Sequence, residues 1–332
     1  MTLRPAKQQK GGYVIKTLRE KGAETIEGLK REGGLDQTRE VVADGEFLWI
    51  PVKKKMKGAK KRVMPQKKMK HLRKSLKEKF GLKAFDVIGE IIVLFLPREL
   101  EEKAQEIGEY LLKLYPKVKA VYKEVGKTKG TFRVQQKKLL AGSGSETIHT
   151  EHGLKFKLDV TEVFFSPRQL TERLQITKFV KKGERVCVFF SGIGAIPIYL
   201  AKYTEAKEII GIELNKKAHD YALQNVKLNK IEPQRVQLIN DDVRKVARKW
   251  EKEKRTFSLV ILAEPKNERS MFQEAKTILR EKTGRILLSF VGTKAICERR
   301  IAEIEKEGFI VKKIFEKKRL GPQESRYLLL CQ

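Results

Sequence analysis

With 332 residues the chain exceeds one small domain and suits two or three, and its 40% hydrophobic content is enough for a packed core. Three cysteines are too few for a disulfide-stapled scaffold, and the longest aliphatic run, Ile91 to Leu96, is too short to span a bilayer. An excess of 73 Lys and Arg over 42 Asp and Glu leaves a formal charge of +31, which makes nucleic acid the default partner.

In chain order, Gly12 to Lys21 is expected to form a helix, Gly34-Leu-Asp36 a turn, and Val41 to Pro51 a hairpin turning at Asp44-Gly45. Residues Lys53 to Lys83 then carry fifteen Lys or Arg against the single acid Glu78, a block suited to gripping phosphate. Asp86 to Leu96 reads as paired strands around Gly89, Pro97 to Leu114 as helix, and Ala120-Val-Tyr122 and Gly130 to Val134 as short strands. Ala141-Gly-Ser-Gly-Ser145 reads as a flexible turn. Thr147-Ile-His149 and Leu154 to Val160 alternate as a hairpin should.

From there strand and helix alternate to the end. The expected strands are Val186–Phe190, Glu208–Glu213, Arg235–Asn240, Ser258–Leu262 and Gly284–Phe290, closed by an antiparallel pair at Phe309–Phe315 and Arg326–Leu330. Five alternating units plus a terminal hairpin imply an α/β fold with a doubly wound, seven-stranded sheet. The expected division is a small N-terminal α/β domain (1–58), a basic linker (59–84), a middle α+β domain (85–145) and a catalytic domain (146–332).

One run carries the chemistry. A short strand breaks into Ser191-Gly-Ile-Gly194, an apolar helix follows, and the next strand ends in Glu213. Glycines let the backbone approach a ligand, the helix start offers unpaired N–H groups, and a carboxylate about twenty residues on can take both ribose hydroxyls. Asp242, ending the third strand, is placed to hold an adenine amino group, and it equally suits an N-cap. Leu214 and Val243 flank these two acids. Cys187, Cys297 and Cys331 lie in apolar or terminal surroundings without metal-ligand spacing, as reduced core thiols would. His149 and His152 lack a third ligand nearby, so no metal is expected. No signal-peptide pattern opens the chain, which points to a soluble, cytoplasmic protein.

Upstream of the glycine turn stand Glu146-Thr-Ile-His149, Lys157-Leu-Asp-Val160, Phe165-Ser-Pro-Arg168 and Thr171-Glu-Arg173, ahead of Phe190-Ser-Gly-Ile-Gly194. This series resembles the archaeal and eukaryotic tRNA (guanine-37 N1)-methyltransferases, which are class I enzymes dependent on S-adenosylmethionine (AdoMet). The resemblance is close from about Phe85 to Asn229 and looser in the final third. The N-terminal unit, with Gly34-Leu-Asp36 and Phe47-Leu-Trp-Ile-Pro51, also resembles that family's tRNA-elbow-binding domain.

The resemblance implies a Rossmann-like catalytic domain, AdoMet as cofactor, and a monomer whose partner is tRNA at its elbow and anticodon loop. It implies that Ser191, Gly192, Gly194, Glu213, Leu214, Asp242 and Val243 line the cofactor site, and that Arg168, Arg173, Glu264 and Pro265 meet the substrate. Removing the proton of guanine N1 needs a carboxylate, and charge building at O6 needs a cation. The resemblance puts Glu172 and Arg133 in these roles. Read from the residues alone, Glu172 equally suits an ion pair with Arg168 or Arg173, and Arg133 a phosphate contact. The flipped base needs a stacking platform, to which Phe164 or Phe165 can contribute.

Three positions depart from the family pattern. Val188 stands where an Asp usually ends the first strand, Glu213 replaces the usual ribose Asp, and Ala263-Glu264-Pro265 replaces Asn-Leu-Pro. Glu264 is a candidate substitute for the lost Asn. Two other readings remain: a wybutosine-pathway aminocarboxypropyl transferase of the same fold, and a non-catalytic tRNA-binding protein.

Overall fold

Short β-branched and aromatic runs buried on both faces make the centre of this molecule a parallel sheet. The structure, a computed structural model, describes residues 12–36, 41–44, 46–55, 59–62, 76–82, 84–126, 135–264, 270–317 and 324–332. Contacts divide the chain into two units, Met1–Lys83 and Ala84–Gln332.

In the first unit, strands β1 (Gly12–Leu18), β2 (Val42–Asp44), β3 (Phe47–Val52) and β4 (Lys60–Arg62) form a sheet of order β2-β3-β1-β4. Helix Gly22–Arg31 contributes Leu29 to a core with Leu35, Ile50 and Val52. The hairpin at Val41 to Pro51 is present, whereas the helix expected over Gly12 to Lys21 is not. That segment is β1, because Tyr13-Val-Ile-Lys-Thr17 alternates, is rich in β-branched residues and pairs with the whole of β3. The helical spacing belongs to the next ten residues.

The second unit opens with β5 (Asp86–Ile88), β6 (Ile91–Leu94), β7 (Ala120–Glu124) and β8 (Lys137–Gly142), a sheet in that order with helix Ala104–Leu114 against β7 and β8. Strand β8 takes in Ala141 and Gly142, which had read as a turn; Leu140 and Ala141 are buried under Gly108 of the helix. The expected strand Gly130 to Val134 lies outside the described residues. A hairpin of β9 (Glu146–Glu151) and β10 (Leu154–Asp159) follows.

The main sheet has the order β13-β12-β11-β14-β15-β17-β16. Its strands are β11 (Arg185–Phe189), β12 (Glu208–Glu213), β13 (Val236–Asn240), β14 (Leu259–Ala263), β15 (Arg285–Gly292), β16 (Val311–Lys317) and β17 (Ser325–Cys331). The first five are mutually parallel, and β17 runs antiparallel between β15 and β16. Chain order reverses between β11 and β14, the switch point at which such sheets bind ligands. The three cysteines are free and buried, as expected.

One core joins the four-stranded sheet to the main sheet: Ile88, Ile91, Ala120 and Tyr122 pack in the same cluster as Phe156, Val188 and Tyr199. The joint is also polar. Backbone N–H groups of Gly89 and Glu90 donate to His149 Nδ1 (3.2 Å) and Thr147 Oγ1 (3.0 Å), so the Thr147–His149 motif is a docking edge. On the other side of the hairpin, Asn225 and Asn229 use their amides to pair the backbone of Lys157 and Lys155 in β10. Gly89 has φ +55°, and a Cβ there would lie 2.3 Å from Thr147 Oγ1 and 2.5 Å from the Ile148 carbonyl oxygen. The Gly89→Ala variant is therefore expected to lose about 1–3 kcal/mol of stability, measurable by urea unfolding.

Candidate active site at the carboxyl edge of the sheet

Strand register sets the site. Glu213 pairs with Asn240, Ile212 with Phe189, Phe189 with Leu262, and Ala263 with Ser289. These pairings put Glu213, Asn240, Ala263 and Ser289 along one edge, where β12 to β15 end their parallel run. Three strand spacings separate Glu213 from Ser289, about 14 Å at ~4.8 Å per strand.

Between β11 and helix Ala195–Tyr203 the backbone turns through Phe190 (φ +59°), Gly192 (φ +56°) and Gly194 (φ +81°). The two glycines do different work. A Cβ on Gly192 would meet nothing within 4 Å, so its face is open, whereas one on Gly194 would lie 3.1 Å from Ala222 Cβ. Gly194 thus serves the close packing of helix Lys216–Leu228 against the turn. Ser191 is buried and its N–H donates to the Ile212 carbonyl, an approach that Gly211 permits, since a Cβ there would lie 3.0 Å from Ser191 Cβ.

Glu213 spans the turn. Its Oε2 accepts from Gly192 N–H and its Oε1 from Asn215 N–H, each at 2.8 Å. Burial pushes this carboxyl above the ordinary range, and backbone N–H groups of Asn215, Gly192 and Leu214 pull against that rise. With Val188 wholly buried in the strand below, Glu213 is the acid that orders the glycine turn. Asn240 donates to the carbonyls of Glu213 (2.8 Å) and Leu214 (3.1 Å), and Leu214 presents an exposed apolar side chain beside them.

Asp242 is the N-cap of helix Val243–Lys252: its Oδ1 accepts from Arg244 N–H at 2.8 Å. The Arg244 side chain also bonds it and, with that cap, holds its carboxyl below the usual range. Val243 is buried in the core of this helix. An open glycine turn, a carboxylate with lone pairs remaining on both oxygens, and an exposed Leu214 fit the nucleoside part of AdoMet.

Glu172 lies in helix Leu170–Thr177 and is buried. Ser289 Oγ donates to its Oε1, and Arg326 Nε stands 3.0 Å from its Oε2. Gln169, with its amide turned to satisfy both of its atoms, accepts from Arg326 at 3.0 Å. Because Ser289 ends the row begun by Glu213, the Glu172 carboxylate sits on the same edge as the glycine turn. Neither Arg168 nor Arg173 pairs with it.

Three substrate assignments change or sharpen. Arg173 is buried and bidentate to Glu151 (Nε–Oε1 2.7 Å, Nη2–Oε2 2.8 Å), with Phe165 and Tyr199 rings beside it, so it is a structural cation closed off from substrate. Burial works to raise the Glu151 carboxyl, but hydrogen bonds from His149, Arg173 and Tyr199 outweigh it and hold the group below its usual range. Glu264 also turns inward: Oε1 accepts from Ser270 Oγ (2.6 Å) and Met271 N–H (3.0 Å), and Oε2 faces Arg300 at 3.2 Å. With its side chain wholly buried, it does not replace the missing Asn. Arg168 remains exposed and pairs with Asp86 at 2.7 Å.

Phe165 packs against His149 and Phe156, whereas Phe164 is exposed, which decides which phenylalanine is available for stacking. Arg133 and Pro265 lie outside the described residues, and among the described residues no cluster suited to a metal ion occurs. Ser289 and Arg326 were not anticipated, because they come from strands more than a hundred positions away from Glu172, and Gln169 enters only as a partner of Arg326. Arg235, an exposed-looking cation in the sequence, likewise serves structure, donating to the carbonyls of Ala201 and Thr204.

Two variants check this geometry. Glu213→Asp shortens the reach to Gly192 N–H and is expected to weaken adenosine binding about tenfold by calorimetry, the equivalent of one hydrogen bond. Arg173→Met strands a buried carboxylate and is expected to cost about 3–5 kcal/mol of stability in urea unfolding.

The TRM5/TYW2 methyltransferase domain matches residues 147–314, just over half of the chain. The tRNA methyltransferase 5 N-terminal domain matches 15–60, and the TYW2 N-terminal domain matches 67–145. The tRNA (guanine(37)-N(1))-methyltransferase Trm5b of Pyrococcus abyssi is 36% identical over 210 residues, which are 60% of this chain and 63% of that relative, so the aligned stretch spans under two thirds of its length. The crystal structure of Trm5b from Pyrococcus abyssi superposes over 97% of this chain and 99% of its own, with a TM-score of 0.68 and 29% identity. That of Pyrococcus horikoshii TYW2 in complex with MeSAdo covers 79% of this chain and 97% of its own, with a TM-score of 0.60 and 25% identity. On these matches and this fold, the chain belongs to the TRM5/TYW2 methyltransferase family.

Proposed function

We propose that this protein transfers a methyl group from AdoMet to N1 of guanosine 37 in tRNA. The observation that carries the reading is the buried Glu172 carboxylate on the same sheet edge as the Gly192–Glu213 nucleoside cradle. Support also comes from the match to a Trm5b structure along nearly the whole chain, the N-terminal unit included.

AdoMet supplies an electrophilic methyl carbon when bound. Glu213 takes the ribose hydroxyls, Leu214 packs beside the adenine, and Asp242 keeps the adjoining helix start in place. Glu172 takes the proton from guanine N1, which raises electron density on the base, and Arg133 faces the charge that gathers at O6. Phe164, exposed at the approach to Glu172's helix, stacks on the flipped base. Residues 1–58 hold the tRNA elbow, the basic stretch 59–84 follows the phosphates, and 85–145 braces the catalytic residues 146–332. Five cations from Lys53 to Lys60 alone fit a polyanion, and a cytoplasmic monomer with free, buried thiols suits the reducing side of the membrane.

A second reading has its own support. The TYW2 N-terminal domain match over 67–145, together with Ala263-Glu264 in place of Asn-Leu, suits aminocarboxypropyl transfer at the same position. The extent of the Trm5b match favours methylation.

Mass spectrometry of nucleosides from tRNA transcripts treated with protein and AdoMet is expected to show 1-methylguanosine when position 37 is G and nothing when it is A. An aminocarboxypropyl adduct would select the second reading, and tRNA binding without AdoMet binding a non-catalytic one. Glu172→Gln is expected to slow the single-turnover rate about 10²–10⁴-fold. Binding of tRNA is expected to weaken steeply between 50 and 200 mM salt, on the order of 10³-fold or more for a protein with six or more phosphate contacts.

A further inference from the structure

Glu172 is a carboxylate whose surroundings come from β15, β17 and the turn that opens its own helix. Its Oε1 accepts from Ser289 Oγ, where the pairing of β15 with β14 ends, and Ser289 is only 1% exposed. Its Oε2 lies 3.0 Å from Arg326 Nε, on β17, and Arg326 Nη1 stands 3.4 Å from Oε1. Gln169, three residues before Glu172, accepts from the far side of the same guanidinium.

The consequence is orientation. A Glu side chain on a helix samples several rotamers, and a base that must meet one ring nitrogen cannot afford that spread. A hydroxyl from one strand and a guanidinium from another both hydrogen-bond Oε1, and the ion pair with Arg326 Nε draws Oε2 to the same side, so the carboxylate is held in direction. Among the described residues Oε2 accepts no hydrogen bond, which leaves its lone pairs for the proton of N1. Arg326 also supplies the counter-charge that lets the carboxylate be buried at all. The neighbouring arginines do not duplicate it: Arg173 is committed to Glu151 and Arg168 to Asp86.

We infer that Ser289 and Arg326 are positioning residues that hold Glu172 in register with the base it deprotonates. The inference rests on the assignment of Glu172 as general base. Ala263, small where the family carries Asn, stands beside Ser289 in the same row and leaves this side of the cleft to the Ser289–Glu172–Arg326 group.

The test is single-turnover methyl transfer to a G37 transcript, with enzyme and AdoMet saturating, for Ser289→Ala, Arg326→Gln, Arg326→Lys and Glu172→Gln. Dissociation constants for AdoMet and tRNA are measured alongside. Ser289→Ala and Arg326→Gln are expected to lower the rate constant roughly tenfold to a hundredfold while both dissociation constants stay within about twofold of wild type. Arg326→Lys, which keeps the charge and loses the planar fork, is expected to recover part of the loss.

If Glu172→Gln is slow and the Ser289 and Arg326 variants keep the wild-type rate, the positioning role is overturned and the base assignment stands. If Glu172→Gln keeps the wild-type rate, both fall. A loss of tRNA affinity in Arg326→Gln with an unchanged rate makes Arg326 a phosphate contact and overturns its share. Ser289→Ala, which removes a single hydroxyl, decides alone if Arg326→Gln no longer binds AdoMet.

Discussion

Parallel pairing of β11, β12, β14 and β15 is the constraint on which the site depends. Each strand enters from the same direction, and β11, β12 and β14 stop at nearly the same level, so the loops that follow them emerge on one edge. Glu213 and Ser289 reach that edge from strands that are far apart in sequence, and the hydrogen-bond ladder between them fixes their spacing without any direct contact. Packing on both faces of the sheet leaves these strands no freedom to slide, since a slip by one residue would turn every side chain over.

Around that edge the charged residues sort into two groups by their surroundings. Arg173, Glu151, Glu264 and Arg300 are pairs with buried partners, and they anchor the hairpin and the last helices to the sheet. Arg173 also fixes the helix that carries Glu172, because its bond to Glu151 ties that helix to β9. Glu172 and Arg173 are adjacent in sequence and point into different environments, which is what a helix does with consecutive residues.

Val188 and Glu213 are a matched pair of departures. The first removes an acid from the end of β11, and the second adds a methylene to the acid at the end of β12. The longer side chain crosses to Gly192 N–H while its other oxygen holds Asn215 N–H. One carboxylate thereby orders the turn and faces the nucleoside cradle. The third departure has no such answer within the same loop, because Glu264 is drawn inward by Arg300, Ser270 and Met271.

What was legible in the sequence was whatever short-range pattern controls. The seven strands of the main sheet, the glycine turn, the acid at the end of β12 and the N-cap at Asp242 all follow from alternation, turn chemistry and spacing within about thirty residues. Gly12 to Lys21 misled because helix and strand patterns overlap in a short apolar segment, and pairing with β3 resolved it. The fate of each charged side chain was beyond the sequence. Whether Arg173 meets substrate or Glu151, whether Glu264 faces the cleft or Arg300, and which group steadies Glu172 depend on residues 22 to 154 positions away. Long side chains carry their charge to the end of several rotatable bonds, so only the packed neighbours decide where that charge comes to rest.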